Sequence, residues 1–397
     1  MKKITFIGDI MCEEPLLKAS RKGKCYDFSN VFEGCKEFFS QSDFVVGNLE
    51  TVFAGKEAGY TKEMFSFNTP DAFAEAIREA GINLVTTATN HALDRDIKGL
   101  TRTLDILDQV GIEHIGAYRI ENERNDIYTK EFGNLKIAFL NYTYGTNTYE
   151  SPYYIDESEY YRLNLLMPQK HIKVIRPKGV RAKFSVAIKQ IIPERYLIHV
   201  RKILGKSYTN NYTDVLNEKE IDESYLERLR SDIQKAKGLA EIVIVCLHIG
   251  GQFNSNPGTL VQYFIKLIQE AGADYIINTH AHVVQRMKQF ENSFVAYCLG
   301  NFSISPSSAY ISHKLKPEYS IALHLYVDDS RVVKKTFSIL KIIENKYHKI
   351  TVKPVDEIVD KLSKKEKDIL EKDVAFIYER FTGNLIKEIA LKREFLV

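Results

Sequence analysis

The segment FNTPDAFAEAIREAGINLVTTATNHALD, residues 67–94, contains the features that decide the fold. Apolar residues at helical spacing predict a helix over residues 70–80, with Pro-Asp at its start. Residues 84–85, Leu-Val, have the character of a short buried strand, and the polar pair Asn90 and His91 follows them. A helix, a strand and a polar motif in this order indicate an α/β fold with functional groups at strand ends.

Five other polar motifs stand at predicted strand ends elsewhere in the chain. They are Gly8-Asp9, Asn48-Leu49-Glu50, His248, His280-Ala281-His282 and Gly300-Asn301. The runs before them, such as residues 4–7 and 242–245, are β-branched or aromatic, which is typical of strands buried on both faces. Because the carboxyl ends of parallel strands face one crevice, we expect the motifs to converge there.

The converging groups are the ligands that a two-metal phosphoesterase site needs. Two divalent cations about 3.5–4 Å apart clamp the attacking and leaving oxygens of an in-line displacement when a carboxylate bridges them. Asp9 and Glu50 are the candidate carboxylates, either bridging or bound to one metal. The candidate neutral ligands are Asn90, His248, His280 and His282. Imidazole and oxygen donors together suit Mn, Fe, Zn or Co, and suit Mg less well.

His91 is the candidate general acid. It directly follows Asn90, and neighbouring side chains in an extended segment point apart, so one can bind a metal while the other faces substrate. Asp94 could hold the imidazole in one tautomer and keep it cationic, as protonation of a leaving oxygen requires. Asn48 and Asn301, which belong to two of the motifs, are the candidate substrate-binding residues.

In order and spacing, the motifs resemble the bacterial poly-γ-glutamate capsule synthesis family of the CapA type, whose fold is that of the calcineurin-like metallophosphatases. The matching segments are FIGDIM (6–11), VVGNLETV (45–52), residues 67–94, LDILDQVGIEHIGAY (104–118), IVIVCLHIGGQF (242–253), THAHVVQ (279–285) and YCLGNFS (297–303). The stretch that resembles the family, from Ile4 to Asn301, covers about three quarters of the chain. The resemblance implies a layered α/β/β/α sandwich, with His91 at the substrate. It implies metal ligands at Asp9, Glu50, Asn90, His248, His280 and His282.

Some positions depart from the family pattern. Metallophosphatases in general carry Asp-x-His at the first motif, and Met11 stands where that His would be. Ile249 replaces the Trp of the usual His-Trp-Gly, and Ala281 replaces the Pro of the His-His-Pro-His in many relatives. These changes spare the expected ligands and alter their neighbours, so they concern specificity more than metal binding.

With 397 residues, the chain is long enough for one large α/β domain with additions. We expect residues 1–150 and 213–310 to form the two halves of the metallophosphatase-like domain. Residues 311–397 would add C-terminal strands and a charged helix. Residues 151–212 would form a basic insertion or cap, since residues 170–206 hold eleven Lys or Arg against one acid. This segment is either a solvated cap or a surface for an anionic polymer, a phosphorylated glycan, nucleic acid or a membrane.

Composition argues against several classes of protein. A net charge of +3 is too small to indicate a nucleic-acid-binding protein. No apolar run approaches the roughly 18 residues of a transmembrane helix, and five cysteines without CxxC spacing do not indicate a disulfide framework. The first predicted strand begins at Ile4, which leaves no room for a signal peptide, so we expect a cytoplasmic protein. Nothing in the sequence fixes an oligomeric state.

The sequence therefore predicts a metal-dependent hydrolase of a phosphate monoester or diester. Its partner would be an anionic small molecule, glycan or polymer, with a capsule or surface-polysaccharide precursor as one candidate. The resemblance leaves open a role in poly-γ-glutamate capsule biosynthesis or amide hydrolysis. A third alternative is a non-catalytic protein that binds an anionic polymer.

Overall fold

The computed structural model of the protein describes residues 1–62, 64–148, 151–169, 214–386 and 388–397. The strands within these residues are β1 (Lys2–Ile10), β2 (Arg21–Lys22), β3 (Cys25–Tyr26), β4 (Phe44–Leu49), β5 (Leu84–Thr86), β6 (Glu113–Ile115), β7 (Tyr128–Phe132), β8 (Leu135–Thr143), β9 (Ile242–His248), β10 (Tyr275–Thr279), β11 (Val284–Gln289), β12 (Phe294–Leu299), β13 (Asn301–Ser303), β14 (Tyr319–Val327), β15 (Val332–Glu344), β16 (Ile350–Pro354) and β17 (Phe395–Leu396).

The α-helices of the same ranges are α1 (Glu14–Ala19), α2 (Ser29–Glu33), α3 (Lys36–Ser40), α4 (Ala72–Glu79), α5 (Asp96–Val110), α6 (Glu121–Asn125), α7 (Glu223–Leu239), α8 (Thr259–Glu270) and α9 (Lys364–Thr382). Short 3-10 helices span Lys56–Ala58, Glu157–Arg162, Glu218–Glu220, His313–Leu315, Val355–Glu357 and Val359–Lys361. The helix predicted over residues 70–80 and the strand predicted at residues 84–85 are confirmed as α4 and β5.

Two mixed sheets carry the fold. The first has the order β16-β15-β14-β1-β4-β5-β6, with β13 paired to β1 and β17 paired to β15. The second has the order β11-β12-β10-β9-β8-β7. In each sheet the central strands run parallel: β1, β4, β5 and β6 in the first, and β8, β9, β10 and β12 in the second. The six polar motifs lie at the ends of six of these parallel strands: β1, β4, β5, β9, β10 and β12.

The two sheets pack face to face through a buried apolar layer. The Phe6 ring on β1 lies 6.4 Å from the Phe139 ring on β8, and the Phe44 ring on β4 lies 6.0 Å from it, measured between centroids. Side chains of α9, including Val374 and Phe381, belong to the same core cluster. Burial of this apolar surface is the main force that holds the sheets together.

Helices cover the outer face of each sheet. On the first sheet, α1 to α5 pack buried side chains such as Leu100 and Leu104 of α5, spaced one helical turn apart. Helix α5 ends at Gly111, whose φ of 75° is the left-handed conformation that favours glycine at a helix C-terminus. On the second sheet, α7 and α8 contribute buried residues such as Ile233 and Phe264. The predicted α/β/β/α sandwich is confirmed.

The predicted basic segment, residues 170–206, lies outside the described residues. Of the expected insertion over residues 151–212, the structure describes residues 151–169. These residues contact the sandwich, because Leu163 forms a β-bridge with Ala117, and Leu165 forms one with Thr143. The division of the chain into two domain halves, an insertion and a C-terminal addition stays a prediction.

Candidate metal centre

Six polar side chains meet where the parallel strands of both sheets end. Each is at most 2% exposed. They are Asp9 near the end of β1, Glu50 directly after β4, Asn90 after β5, His248 at the end of β9, and His280 and His282 after β10. The predicted convergence of these residues therefore holds within the described part of the chain.

Three of them form what we call the first ligand group: Asp9, Glu50 and His282. Nδ1 of His282 lies 3.3 Å from Oδ2 of Asp9, and Nε2 of His282 lies 3.7 Å from Oε1 of Glu50. One ligand atom from each residue lies within 4.8 Å of the other two. The group offers two carboxylates and one imidazole to a single point.

The second ligand group shares Glu50 with the first. Oε1 of Glu50 lies 3.3 Å from Nε2 of His248, which in turn lies 3.1 Å from Nδ1 of His280. Oδ1 of Asn90 lies 2.7 Å from the same Nε2 atom. We therefore count Asn90 in this group with Glu50, His248 and His280. A carboxylate common to two adjacent groups is the arrangement of a bridged two-metal site.

Unpaired buried atoms test whether these residues fit a metal. Three buried atoms lack a hydrogen-bond partner among the described residues. They are both carboxylate oxygens of Glu50 and the Nε2 atom of His282. Leaving buried polar atoms unpaired costs free energy, and such atoms in native proteins usually have a protein, water or ion partner. Divalent cations at the two groups would satisfy them. The residues fit the pair of ions that the sequence predicts.

The surroundings of three candidate ligands, Glu50, His280 and His282, shift their pKa values in different directions. Burial raises the pKa of Glu50, but His282 and His248 outweigh burial and hold that pKa well below its usual range. Burial lowers the pKa of His280 far below 6.5, which keeps its imidazole neutral. For His282, burial is outweighed by Glu50 and Asp9, which raise the pKa to about 9. A metal bound by His282 would therefore displace a proton.

Backbone geometry at this site is unusual. His280 and His282 both have positive φ angles, 87° and 56°, which non-glycine residues rarely adopt and which concentrate at functional sites. At Gly8, a Cβ atom would lie only 1.9 Å from the carbonyl oxygen of Gly300, so only glycine fits there. The Asp9 backbone N–H donates to that same oxygen at 3.1 Å. The close approach fixes the position of Asp9.

Asn48 and Asn301 are buried and hydrogen-bonded to the ligands. Nδ2 of Asn48 donates to Oδ1 of Asp9 at 2.8 Å and lies 3.1 Å from Nδ1 of His248. Oδ1 of Asn301 lies 2.9 Å from Nδ1 of His282. Partners of this kind orient metal ligands in many sites. The predicted contact of both amides with substrate stays a prediction.

His91 lies beside the shared carboxylate. Its Nδ1 atom lies 2.6 Å from Oδ2 of Asp94, and its Nε2 atom lies 3.8 Å from Oε1 of Glu50. The Phe67 ring packs on the imidazole with 4.3 Å between centroids. One ring nitrogen is thus held by Asp94 while the other faces the ligand groups.

With this geometry in hand, sequence comparison identifies the family. The family model "Bacterial capsule synthesis protein PGA_cap" matches residues 3–306. The chain belongs to the PGA_cap family. All residues of both ligand groups, together with His91 and Asp94, lie inside the matched region, and the resemblance predicted from the motifs is confirmed.

Two relatives of the chain bear the name CapA. The chain is 20% identical over 302 residues to the capsule biosynthesis protein CapA of Bacillus anthracis, which covers 75% of this chain and 59% of that protein. It is 21% identical over 301 residues to the PGA biosynthesis protein CapA of Bacillus subtilis (strain 168), covering 75% and 62% respectively. The chain thus spans about three fifths of the length of these two relatives.

Among solved structures, a chain named as a 5′-nucleotidase of Staphylococcus aureus, in complex with α-ketoglutarate, aligns with a TM-score of 0.42 and 12% identity. The alignment covers 93% of this chain and 57% of the other.

Every helix in the described ranges of the chain is too short or too polar to cross a lipid bilayer.

The motifs did not indicate several residues of the PGA_cap site. Asn147, four residues beyond β8, contacts both Asn90 and His91. The Tyr144 ring packs on His280 with 5.0 Å between centroids. Their position after β8 is a signal that could have indicated them, because the other site residues also lie at strand ends.

Proposed function

We propose that the chain is a metal-dependent phosphoesterase that hydrolyses a phosphate monoester or diester. One observation carries the proposal: two ligand groups share the buried carboxylate of Glu50, which has no hydrogen-bond partner among the described residues, and the His91 imidazole lies beside it. A bridged pair of metals next to an imidazole suits displacement at phosphorus, where both attacking and leaving oxygens need stabilisation.

In this proposal the protein residues bind the ions and move one proton. When bound, two divalent ions supply charge stabilisation for the phosphoryl oxygens and an activated water. His91 donates the proton on Nε2 to the leaving oxygen. Asp94 accepts a hydrogen bond from Nδ1 of His91 and so keeps the charged imidazole in that orientation. Phe67 packs on the ring and limits its rotation.

The donor set favours Mn, Fe, Zn or Co over Mg as the pair of ions. Three imidazoles contribute to the two groups, and Mg prefers oxygen ligands and retained water. Metal identity is tested by adding each ion to chelator-treated protein and comparing turnover.

Family membership supports a substrate on the route to a capsule or surface polymer. The two CapA relatives are named for capsule and PGA biosynthesis, so a precursor of such a polymer is the proposed substrate. The same names favour a second candidate, cleavage of an amide bond in a poly-γ-glutamate chain. Product analysis separates the two, because ester cleavage releases phosphate or a phosphomonoester and amide cleavage releases an amine. A non-catalytic polymer-binding protein would release neither.

The proposed function is tested by measuring the metal content of the protein first and its turnover of substrates second. Protein purified without chelator is analysed by mass spectrometry for transition metals, beside His282→Ala. Near two ions per chain, with fewer in the variant, supports the proposal and leads to a screen of phosphate monoesters and diesters. No metal in the purified protein, and none taken up from added Mn or Zn, contradicts it.

We further infer a cytoplasmic location. All five cysteines lie among the described residues, and none forms a disulfide. Free thiols are typical of proteins in reducing compartments. Fractionation of cells expressing a tagged full-length protein tests this location.

A further inference from the structure

Asn147 is bound to Asn90 at two points. Nδ2 of Asn90 donates to Oδ1 of Asn147 at 3.0 Å, and the backbone N–H of Asn147 donates to the carbonyl oxygen of Asn90 at 2.8 Å. Asn147 lies in the loop after β8 and is half-buried, whereas Asn90 is 1% exposed. The loop therefore holds one member of the second ligand group through both its backbone and its side chain.

The side-chain bond decides which way the Asn90 amide faces. A primary amide has one nitrogen and one oxygen on opposite sides, so fixing the nitrogen directs the oxygen. With Nδ2 bound to Asn147, Oδ1 of Asn90 lies 2.7 Å from Nε2 of His248, inside the second ligand group. Only the oxygen of an amide is a good ligand for a divalent cation, so the opposite orientation would remove a ligand.

Asn147 also reaches the proposed acid. Its Nδ2 atom lies 3.2 Å from each ring nitrogen of His91. From the same loop, the Tyr144 ring packs on His280, another member of the second ligand group. The loop after β8 thus contacts two members of that group and His91. Within the described part of the chain, Asn147 forms no hydrogen bond with Asp9 or His282 of the first group.

We propose that Asn147 is a positioning residue for the second metal: its side-chain oxygen orients the Asn90 amide so that the amide oxygen faces the ion. This inference rests on the proposed two-metal function. It predicts a selective effect, since loss of the Asn147 oxygen affects the ion of the second ligand group and spares the ion of the first. Loss of such an outer partner typically weakens metal binding roughly 10- to 100-fold.

The experiment measures metal affinity on the full chain, without reference to activity. Chelator-treated wild type, Asn147→Ala and Asn147→Asp are titrated with Mn²⁺ alone, and with Zn²⁺ alone, by calorimetry and by competition with a chelating dye. Asn147→Ala should bind one ion with wild-type affinity and the other roughly 10- to 100-fold more weakly. Asn147→Asp keeps an oxygen that accepts from Asn90, so it should retain the weaker ion. Asn292→Ala, at an exposed asparagine in a turn, is the matched control.

Circular dichroism of each variant checks that the chain is folded before titration. Two tight ions in Asn147→Ala would overturn the inference and leave the two-metal proposal standing. Two other results would also overturn the orienting role and leave the two-metal proposal standing. One is an equal loss of affinity for both ions in Asn147→Ala. The other is an Asn147→Asp variant that binds the second ion as weakly as Asn147→Ala does. A wild type that binds no ion would overturn both the inference and the proposed function.

Discussion

Oδ2 of Asp94 lies 2.6 Å from Nδ1 of His91 and also accepts the backbone N–H of Phe67 at 2.6 Å. Both partners of the pair are buried. Burial lowers the pKa of His91, but Asp94 and Glu50 outweigh it and raise that pKa above its ordinary value. The pair therefore favours a charged imidazole whose Nε2 atom faces the shared carboxylate.

Replacing this imidazole should slow turnover without removing metal. His91→Ala should lower kcat by roughly 10²- to 10⁴-fold, the usual contribution of a general acid. Asp94→Asn should cause a smaller loss, because the ring remains but its charged form is less stabilised. Both losses should shrink for a p-nitrophenyl ester, whose leaving group needs no proton. Equal losses for alkyl and p-nitrophenyl esters, at unchanged metal content, would show that His91 is not the acid.

Glu50 should be the residue whose loss empties both ligand groups. Its carboxylate contributes to each group, and neither oxygen has another partner among the described residues. We expect Glu50→Gln to retain less than one ion per chain, whereas His282→Ala retains about one, since His282 belongs to the first group alone. Metal analysis of the purified variants measures this difference. Glu57→Gln, at an exposed position, is the control, and a Glu50→Gln protein with two ions would contradict the shared role.

Arg380 on α9 contacts two segments that lie next to the candidate ligands, the start of β11 and the loop after β9. Its Nε atom donates to the carbonyl oxygen of Val284 at 2.9 Å, and Nη2 donates to that of Ser255 at 3.0 Å. These carbonyls follow the ligands His282 and His248 in the chain. Arg380→Ala should lower the free energy of unfolding by roughly 1–3 kcal/mol, because the carbonyl of the buried residue Val284 loses its donor.

Denaturant unfolding of Arg380→Ala, with exposed Arg331→Ala as the control, measures the effect. We also expect weaker metal retention in Arg380→Ala, since both segments adjoin candidate ligands, His248 and His282. If Arg380→Ala has the stability and the metal content of the wild type, the contacts of Arg380 are dispensable for both.

Glu394 should make the free energy of unfolding depend on pH. Burial raises its pKa, but hydrogen bonds from Lys3 and Thr336, at 2.6 Å each, help to hold it at about 2, below the ordinary 4.5. A depressed carboxylate pKa stabilises the fold above the unfolded-state value, and this contribution is lost as the pH falls toward about 2, because the unfolded chain takes up the proton first.

Glu394→Gln should therefore be less stable than wild type by roughly 1.5–3 kcal/mol near neutral pH, and the gap should narrow as the pH falls below about 4.5. Urea unfolding at several pH values measures the gap. The exposed Glu388→Gln variant should show little difference at any pH. A gap that stays constant from neutral pH to about 2 would contradict the assigned pKa.

The sequence was sufficient where local patterns and strand polarity decide the structure. Helix α4, strand β9 and the meeting of His248 with His280 follow from apolar periodicity and from the rule that parallel strands direct their carboxyl ends to one edge. The family resemblance added the second layer of sheet, which no single segment encodes.

Contacts between distant side chains were not predictable in this way. Asn147 meets Asn90 across 57 residues, and Arg380 meets Val284 across 96. Neither pair has a local pattern, because the contact depends on how the loops cross after the sheets pack. The same holds for Asn48, whose bonds to Asp9 and His248 become visible only when both strands are in place.

Each ligand group draws its members from both sheets: Asp9 and Glu50 lie at the ends of strands of the first sheet, and His248, His280 and His282 lie at the ends of strands of the second. Any divalent ion held there would cross-link the two halves of the sandwich at one end of their interface. Metal binding would then add to the stability of the whole fold, in proportion to the logarithm of metal concentration over its dissociation constant. A cell short of transition metal would accordingly hold a protein that unfolds, and is degraded, more readily.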